Sequence, residues 1–332
     1  MERPRIAIIG AGISGLACGQ ALLRARASVV VFEKSRSLGG RLATRRWEDH
    51  VVDHGAPWVT LPVGLELDGI CQEAGHLPPP LAVVPAPEWD AASAQAVVET
   101  EGACYYLPAG NNRLAKWLAP EVIPRLETTV EALRPLPEDR WEVAGETFEA
   151  VVLTAPWPQS RRLLAPWLPE SEAFAEPAYG RTLTAFFEYG GDPSGPAAAW
   201  SGIRHGPDRD DTGLWRSICE NQKPGRIRPG CTVIVAHATP AFSDLHFETE
   251  RALWSARLEQ AVRAAWQLSA PPRAIFTHRW GFSTTGAPFQ VQPILPAGLY
   301  LAGDAVSGSS VGAVWQSGLT VAQKVLAECG TP

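Results

Sequence analysis

Gly10, Gly12 and Gly15 fall at the spacing G-x-G-x-x-G, and an acidic residue, Glu33, follows 21 positions after Gly12. Glycines so spaced let a backbone turn tightly, approach a pyrophosphate and pack a helix closely on a strand. The carboxylate accepts hydrogen bonds from a ribose diol. Ile13 and Ser14 stand at the helix start, where unpaired N–H groups would face phosphates. Lys34 then leads to Gly39-Gly40-Arg41. The glycine pair permits close approach, and the Arg41 guanidinium presents a fork of donors to a pyrophosphate. The chemistry implied is dinucleotide binding.

The elements around these residues agree. Arg5–Ile9 and Val29–Phe32 are short apolar runs of the buried-strand type, and Leu16–Arg26 between them reads as a helix. Val151–Pro156 is a third such run. Leu299–Asp304 is a fourth, ending in Gly303-Asp304, and Val311 opens a helix to about Glu328. Both chain ends therefore feed one nucleotide sheet, and the fold class is α/β: a discontinuous Rossmann-type domain of residues 1–62, 103–164 and 276–332. Residues 63–102 and 165–275 are expected to form an inserted α+β substrate domain. Its strands are placed at Arg181–Tyr189, Gly213–Cys219 and Thr232–Ala238, and a helix at Phe247–Leu268. A small meander is expected over Thr129–Leu133, Trp141–Val143 and Thr147–Glu149.

Composition excludes several classes. The 332 residues are 45% hydrophobic with net charge −6, which fits a folded chain without a nucleic-acid partner. No apolar run reaches the ~20 residues of a membrane helix, and a cytoplasmic location is expected. The six cysteines form no Cys-x-x-Cys and read as reduced thiols. His50 and His54 are four apart, but Gly55 and Pro57 argue against the helix that would join them, so no metal is expected. Gly308-x-Ser310-x-Gly312 imitates a hydrolase elbow, yet no histidine follows Ser310.

The wider set of stretches resembles the flavin amine oxidase superfamily and, within it, the renalase-like branch. They are GGRLATRR (39–46), DHGAPWV (53–59), PAGNNRLAKWLA (108–119), AHATPAFS (236–243), HRWGF (278–282) and GDAVSGSSVGAVWQSG (303–318). One departure is Asn111-Asn112, where the superfamily commonly has Met before Asn. The resemblance implies a p-hydroxybenzoate hydroxylase/amine oxidase-like architecture and non-covalent FAD. It implies cofactor contacts at Ala56, Pro57 and Trp58 beside the isoalloxazine ring, at Val130 on the adenine side, and at Ala155. It further implies Gly303 and Asp304 on the ribityl chain, and Gly312, Ala313 and Val314 at a helix N-terminus facing the flavin.

For substrate, the resemblance implies 2- or 6-dihydro isomers of NAD(P)H, with hydride passing to flavin N5 and dioxygen accepting the electrons to give hydrogen peroxide. A dihydropyridine becomes aromatic on losing hydride and needs positioning rather than a base. That suits a chain whose four lysines (34, 116, 223, 324) miss the position where amine oxidases of the superfamily keep one near N5. Trp58, Trp280 and Trp315 lie in three motifs expected to converge on the ring as an aromatic slot. His237 and His278 are candidate amide or phosphate contacts. Oxidation of a small amine, or a flavoprotein mainly for binding or sensing, are the alternatives. The oligomeric state is open.

Overall fold

The computed structural model describes residues 3–60, 82–84, 87–97, 104–119, 121–168, 177–206, 212–289 and 295–329. Pro78–Pro80, expected to mark a crossing between domains, lie outside them.

Five parallel strands form the nucleotide sheet in the order Pro124–Arg125, Ser28–Phe32, Arg5–Ile9, Ala150–Leu153, Leu299–Leu301. Apart from the edge strand Pro124–Arg125, their apolar runs are needed because both faces are covered. On one face Ile6, Ile8 and Val152 pack under the helices Ile13–Arg24 and Val311–Glu328. On the other, Ala7 and Val151 meet Trp141, Phe148 and Trp157 from the meander and the helix Trp157–Leu164. The two covering helices touch: a Cβ on Gly318 would sit 2.2 Å from the Ser14 carbonyl oxygen. The meander begins at Leu133 rather than Thr129 and runs through Leu133–Leu136, Arg140–Val143 and Glu146–Phe148.

A seven-stranded sheet stands apart, ordered Ala274–Thr285, Tyr179–Gly190, Cys231–Ala238, Leu214–Cys219, Gly202–Arg204, Glu88–Asp90, Gln95–Val97. Strand alternation divides its faces. Leu183, Ala185 and Phe187 pack on Trp254, Leu258 and Trp266 of the helix Arg251–Trp266. Phe186, Ile218 and Val235 face the opposite way, onto Val52 and Trp58.

Two expectations change. The sequence division places residues from 276 onward in the nucleotide domain, but Ala274–Thr285 pairs with Tyr179–Gly190 as an edge of the second sheet. Its cross-strand partners, not its position in the chain, decide where it belongs. The helix expected over Phe247–Leu268 is shorter, Arg251–Trp266, and is preceded by a separate helix, Pro240–His246. Thr239 caps this preceding helix by accepting from Phe242 N at 3.2 Å, with Pro240 in its first turn, a start signal that precedes the expected helix.

Where the two sheets meet, four charges are shut away from water: Asp53, Glu220, Lys223 and Arg226, whose ion-paired side chains are 0% exposed. Lys223 Nζ donates to Asp53 Oδ2 at 3.1 Å and to Glu220 Oε1 at 2.5 Å. Arg226 Nη1 donates to Asp53 Oδ2 and, at 3.0 Å, to Glu220 Oε2. Burial alone would push the Asp53 carboxyl up, but the Lys223 and Arg226 charges outweigh it and hold the carboxyl below its ordinary range. Asp53→Asn removes a countercharge from two buried cations and is expected to cost about 3–5 kcal/mol. Urea unfolding followed by tryptophan fluorescence measures this, and a loss no larger than the ~1 kcal/mol of a surface pair would refute it.

Candidate active site

A cavity of about 1010 Å³ runs from the nucleotide sheet to the seven-stranded sheet, at the upper end of the ~300–1,000 Å³ range of small-molecule sites. Its nucleotide end is built by the glycine motif. Gly10 has φ +112°, a conformation open to glycine, and a Cβ on Gly15 would lie 2.1 Å from the Gly10 carbonyl oxygen. Gly15 therefore serves the packing of helix on strand and does not line the cavity. Gly12 and Gly40 face one another, a Cβ on Gly40 reaching only to 3.7 Å from Gly12 Cα.

The residues there fit a dinucleotide. Glu33 accepts from Ala11 N and Ser35 N, one bond to each carboxylate oxygen and both at 2.8 Å, which leaves lone pairs for a diol. Ser14 Oγ is buried without a hydrogen-bond partner, as a phosphate-facing hydroxyl would be. Ile13, Lys34, Val130 and Ala155 also line this part. Ala56 and Pro57 line the central stretch, held by Asn111, whose Nδ2 donates to their carbonyls at 3.3 and 3.0 Å. Asn111 Oδ1 accepts from Leu107 N and from Arg226 at 3.1 and 3.0 Å. The Asn111 that departs from the superfamily pattern thus pins the Ala56-Pro57 loop to the buried charges.

Arg41 lines the cavity and donates through Nη1 to Asp304 Oδ2 at 2.6 Å and to the Ser283 carbonyl at 3.2 Å. It joins the Gly-Gly-Arg turn to the last strand–helix junction. Gly303, Asp304 and Val314 line the wall there, with Ser309 and Val311. Gly312 and Ala313 do not; Gly312 is buried, and Ala313 N bonds the Ser310 cap at 3.2 Å.

Register builds the other end. Arg216 is opposite His237, and Thr184 is opposite both His237 and His278. Cross-strand partners share a face, so Arg216, His237, Thr184 and His278 form one row across four strands. His237 Nδ1 bonds Thr184 Oγ1 at 3.2 Å, while its Nε2 is buried without a partner. Trp280 lies further along the edge strand and donates from Nε1 to the His54 carbonyl at 3.1 Å. The His54 ring stacks on Trp280 with centroids 5.7 Å apart, and Phe276 and His278 complete the wall.

The structure brings His237, His278 and Trp280 to the cavity, but not Trp58 or Trp315. Trp58 lies under the second sheet with the Lys223 ammonium 4.7 Å from its ring centre. Trp315 belongs to the buried stripe Val311, Trp315, Gly318, Ala322, Val325 of the last helix, against Trp117. The sequence reading gave no site role to Phe276, Arg45 or Arg216, and weighed His54 only as a metal partner of His50 within a loop beside the cofactor. The alternation Phe276-x-His278-x-Trp280 is a period-2 signal that could have exposed the wall. The row through Arg216 had no local signal.

His50, set on the strand His50–Asp53, does not join His54. Its Nε2 approaches Glu188 Oε2 at 3.6 Å, and Cys231 lies alongside. His50 Nδ1 accepts from Arg228 N at 3.4 Å, and the Arg228 guanidinium donates to Glu188 and Cys231, so a cation already occupies the electrostatic role of a metal.

This arrangement is a dinucleotide-binding cradle opening onto a separate sheet. The chain belongs to the flavin containing amine oxidoreductase family, whose model matches residues 90–326, with an NAD(P)-binding Rossmann-like domain matched at 8–72.

Among curated relatives, polyamine oxidase 1 of Oryza sativa subsp. japonica is 39% identical over 79 residues, 23% of this chain and 15% of that protein. Polyamine oxidase 7 of the same plant is 41% identical over 58 residues, 17% of this chain and 12% of that protein. The aligned segments thus span a small part of either relative. Among solved structures, a protein designated a protoporphyrinogen oxidase from Exiguobacterium sp. 255-15 shares the fold with TM-score 0.77 and 16% identity, over 99% of this chain and 100% of that one. Cyclohexylamine oxidase from Brevibacterium oxydans IH-35A does so with TM-score 0.73 and 13% identity, over 98% and 100%. Among the described residues no helix is long and apolar enough to cross a membrane.

Two outcomes are expected. Arg41→Ala removes both the strap to Asp304 and a phosphate-capable guanidinium, so purified protein should carry less flavin per chain by visible absorbance; unchanged content would refute that role. Burial, His278 and Arg45 lower His54 to about 4, and burial, Arg216 and His54 lower His237 to about 3. Their unfolded values are near 6.5, so the unfolded chain takes up protons first. Their stabilising contribution is complete above pH ~6.5 and declines below it, by up to about 1.4 kcal/mol per pH unit for each histidine. Tm measured from pH 7 to 5 should fall less steeply for His237→Gln than for the wild type.

Proposed function

We propose that the protein oxidises 2- or 6-dihydronicotinamide isomers of NAD(P)H, with non-covalent FAD, returning NAD(P)⁺. The observation carrying this reading is the make-up of the cavity's far end: neutral imidazoles, aromatic rings and two arginines, Arg45 and Arg216, with neither carboxylate nor lysine among the described lining residues there. Of the lysines, Lys34 lines the nucleotide end and Lys223 is locked in the buried charges. Such a site can hold a planar ring and exclude water, and a dihydropyridine needs no more because aromatisation drives hydride loss. Bound FAD supplies the hydride acceptor, and dioxygen restores it with release of hydrogen peroxide. No cysteine is among the described lining residues, which supports non-covalent attachment. A cytoplasmic location accords with free nicotinamide nucleotides as substrate.

The family name and the putrescine-bound oxidase among the structural neighbours (TM-score 0.70, 14% identity over 98% of this chain and 99% of that one) favour a small amine as the second reading. Anaerobic mixing of the FAD-loaded protein with each donor separates the two. Bleaching of the flavin absorbance by 2- or 6-dihydroNAD and not by putrescine or cyclohexylamine is the expected result. Bleaching by amines alone would replace the proposal with the second reading, and no bleaching would favour a binding or sensing role.

A further inference from the structure

The cavity lining carries six cationic side chains, Lys34, Arg36, Arg41, Arg45, Arg162 and Arg216, against two carboxylates, Glu33 and Asp304. The excess exceeds what the two phosphates of one dinucleotide cofactor balance, and part of it lies at the substrate end, on Arg45 and Arg216. These two differ. Arg216 donates from Nε to Glu88 Oε1 at 2.6 Å and from Nη2 to Glu88 Oε2, so its fork is filled. Arg45 is exposed and lies over the Phe276 ring at 5.1 Å from its centre. Among the described residues no carboxylate pairs with it. A guanidinium seated on an aromatic face is held in place while its N–H edge stays open to an anion. Deeper in, His237 and His54 are 7% and 8% exposed, and His237 Nε2 and His54 Nδ1 have no partner. They are placed for an uncharged polar group, while the open cation sits outside them.

We infer that Arg45 holds a phosphate of the substrate at this end, with its ring against Trp280 and His54 and an uncharged polar substituent on His237. Arg45 thereby selects nucleotides over phosphate-free analogues and disfavours cationic amines. This specificity rests on the dihydronicotinamide reading, but the anion subsite stands on the geometry alone. An ammonium there meets an unpaired arginine and no described carboxylate; a phosphate meets its bidentate partner.

Oxidised nicotinamide mononucleotide and nicotinamide riboside differ only in the phosphate, and their binding to the FAD-loaded protein can be titrated by perturbation of the flavin spectrum without turnover. The mononucleotide should bind at least about tenfold more tightly than the riboside, the advantage shrinking as salt rises. Arg45→Ala should remove that advantage and leave riboside binding unchanged, and Arg45→Lys should keep part of it. With the dihydro forms, Arg45→Ala should raise KM for the nucleotide far more than it lowers kcat. Equal binding of the two probes, binding of neither, or an advantage that survives Arg45→Ala would overturn the inference. Arg45-dependent binding without flavin reduction by any dihydro isomer would uphold the anion subsite and overturn the oxidation reading instead.

Discussion

The cavity rests on the buried charges at Asp53. One carboxylate receives Lys223 and Arg226 from beyond the strand Leu214–Cys219, Thr44 from the facing hairpin strand, and the Asn111 backbone N–H ahead of the helix Arg113–Leu118. The next four residues are His54, Gly55, Ala56 and Pro57, all in the cavity wall. Gly55 lies tight against the Arg41 carbonyl, 2.0 Å from where a Cβ would be, so the loop has no slack on that side either. Buried ion pairs of this kind add little net stability compared with apolar packing. Their value here is geometric. Three segments remote in sequence, the hairpin 44–53, Asn111 and residues 220–226, are forced into one arrangement, since separating the hairpin from 220–226 would leave charges alone in the interior.

That constraint shapes the electrostatics of the site. Asp53, Glu220, Lys223 and Arg226 are turned inward and neutralised in pairs, leaving a substrate end of uncharged imidazoles and ring faces with Arg45 as its open charge. Desolvation keeps those imidazoles uncharged at neutral pH, and Arg216 behind His237 acts in the same direction. The outcome differs from a site built for proton transfer, where a titrating group is tuned towards the working pH. Here the polar groups can orient a ligand but are poorly matched to taking its proton.

The nucleotide half was legible because its determinants are local. A turn, a helix start and an acid at a strand end are written within about thirty residues, and backbone geometry there tolerates few alternatives. The substrate half depends on pairing between distant strands. His237, His278 and Arg216 become neighbours only when three connections have closed, and no spacing in the chain records that. Tryptophan misled for a related reason. Trp58 and Trp315 are rich in contact area, and the protein uses them to fill space under a sheet and between helices, while the smaller His54 takes the wall position. Asn111 shows the opposite case. A departure from the family pattern, legible as such, proved to be a structural clamp whose partners no local rule could supply.

The contact of Gly318 with Ser14 places the last long helix directly against the first. The strand Leu299–Leu301 likewise pairs with Ala150–Leu153, the neighbour of Arg5–Ile9. A nascent chain that has exposed its glycine motif therefore still lacks an edge strand and half the cover of one sheet face. The nucleotide domain cannot close before Leu299–Leu301 and Val311–Glu328 have been made, and the intervening sheet can fold while Arg5–Ile9 waits. Completion of the dinucleotide cradle thus waits on elements about three hundred residues downstream, and the apolar face of Ile6, Ile8 and Leu16 is the surface that has to be kept from aggregating until then.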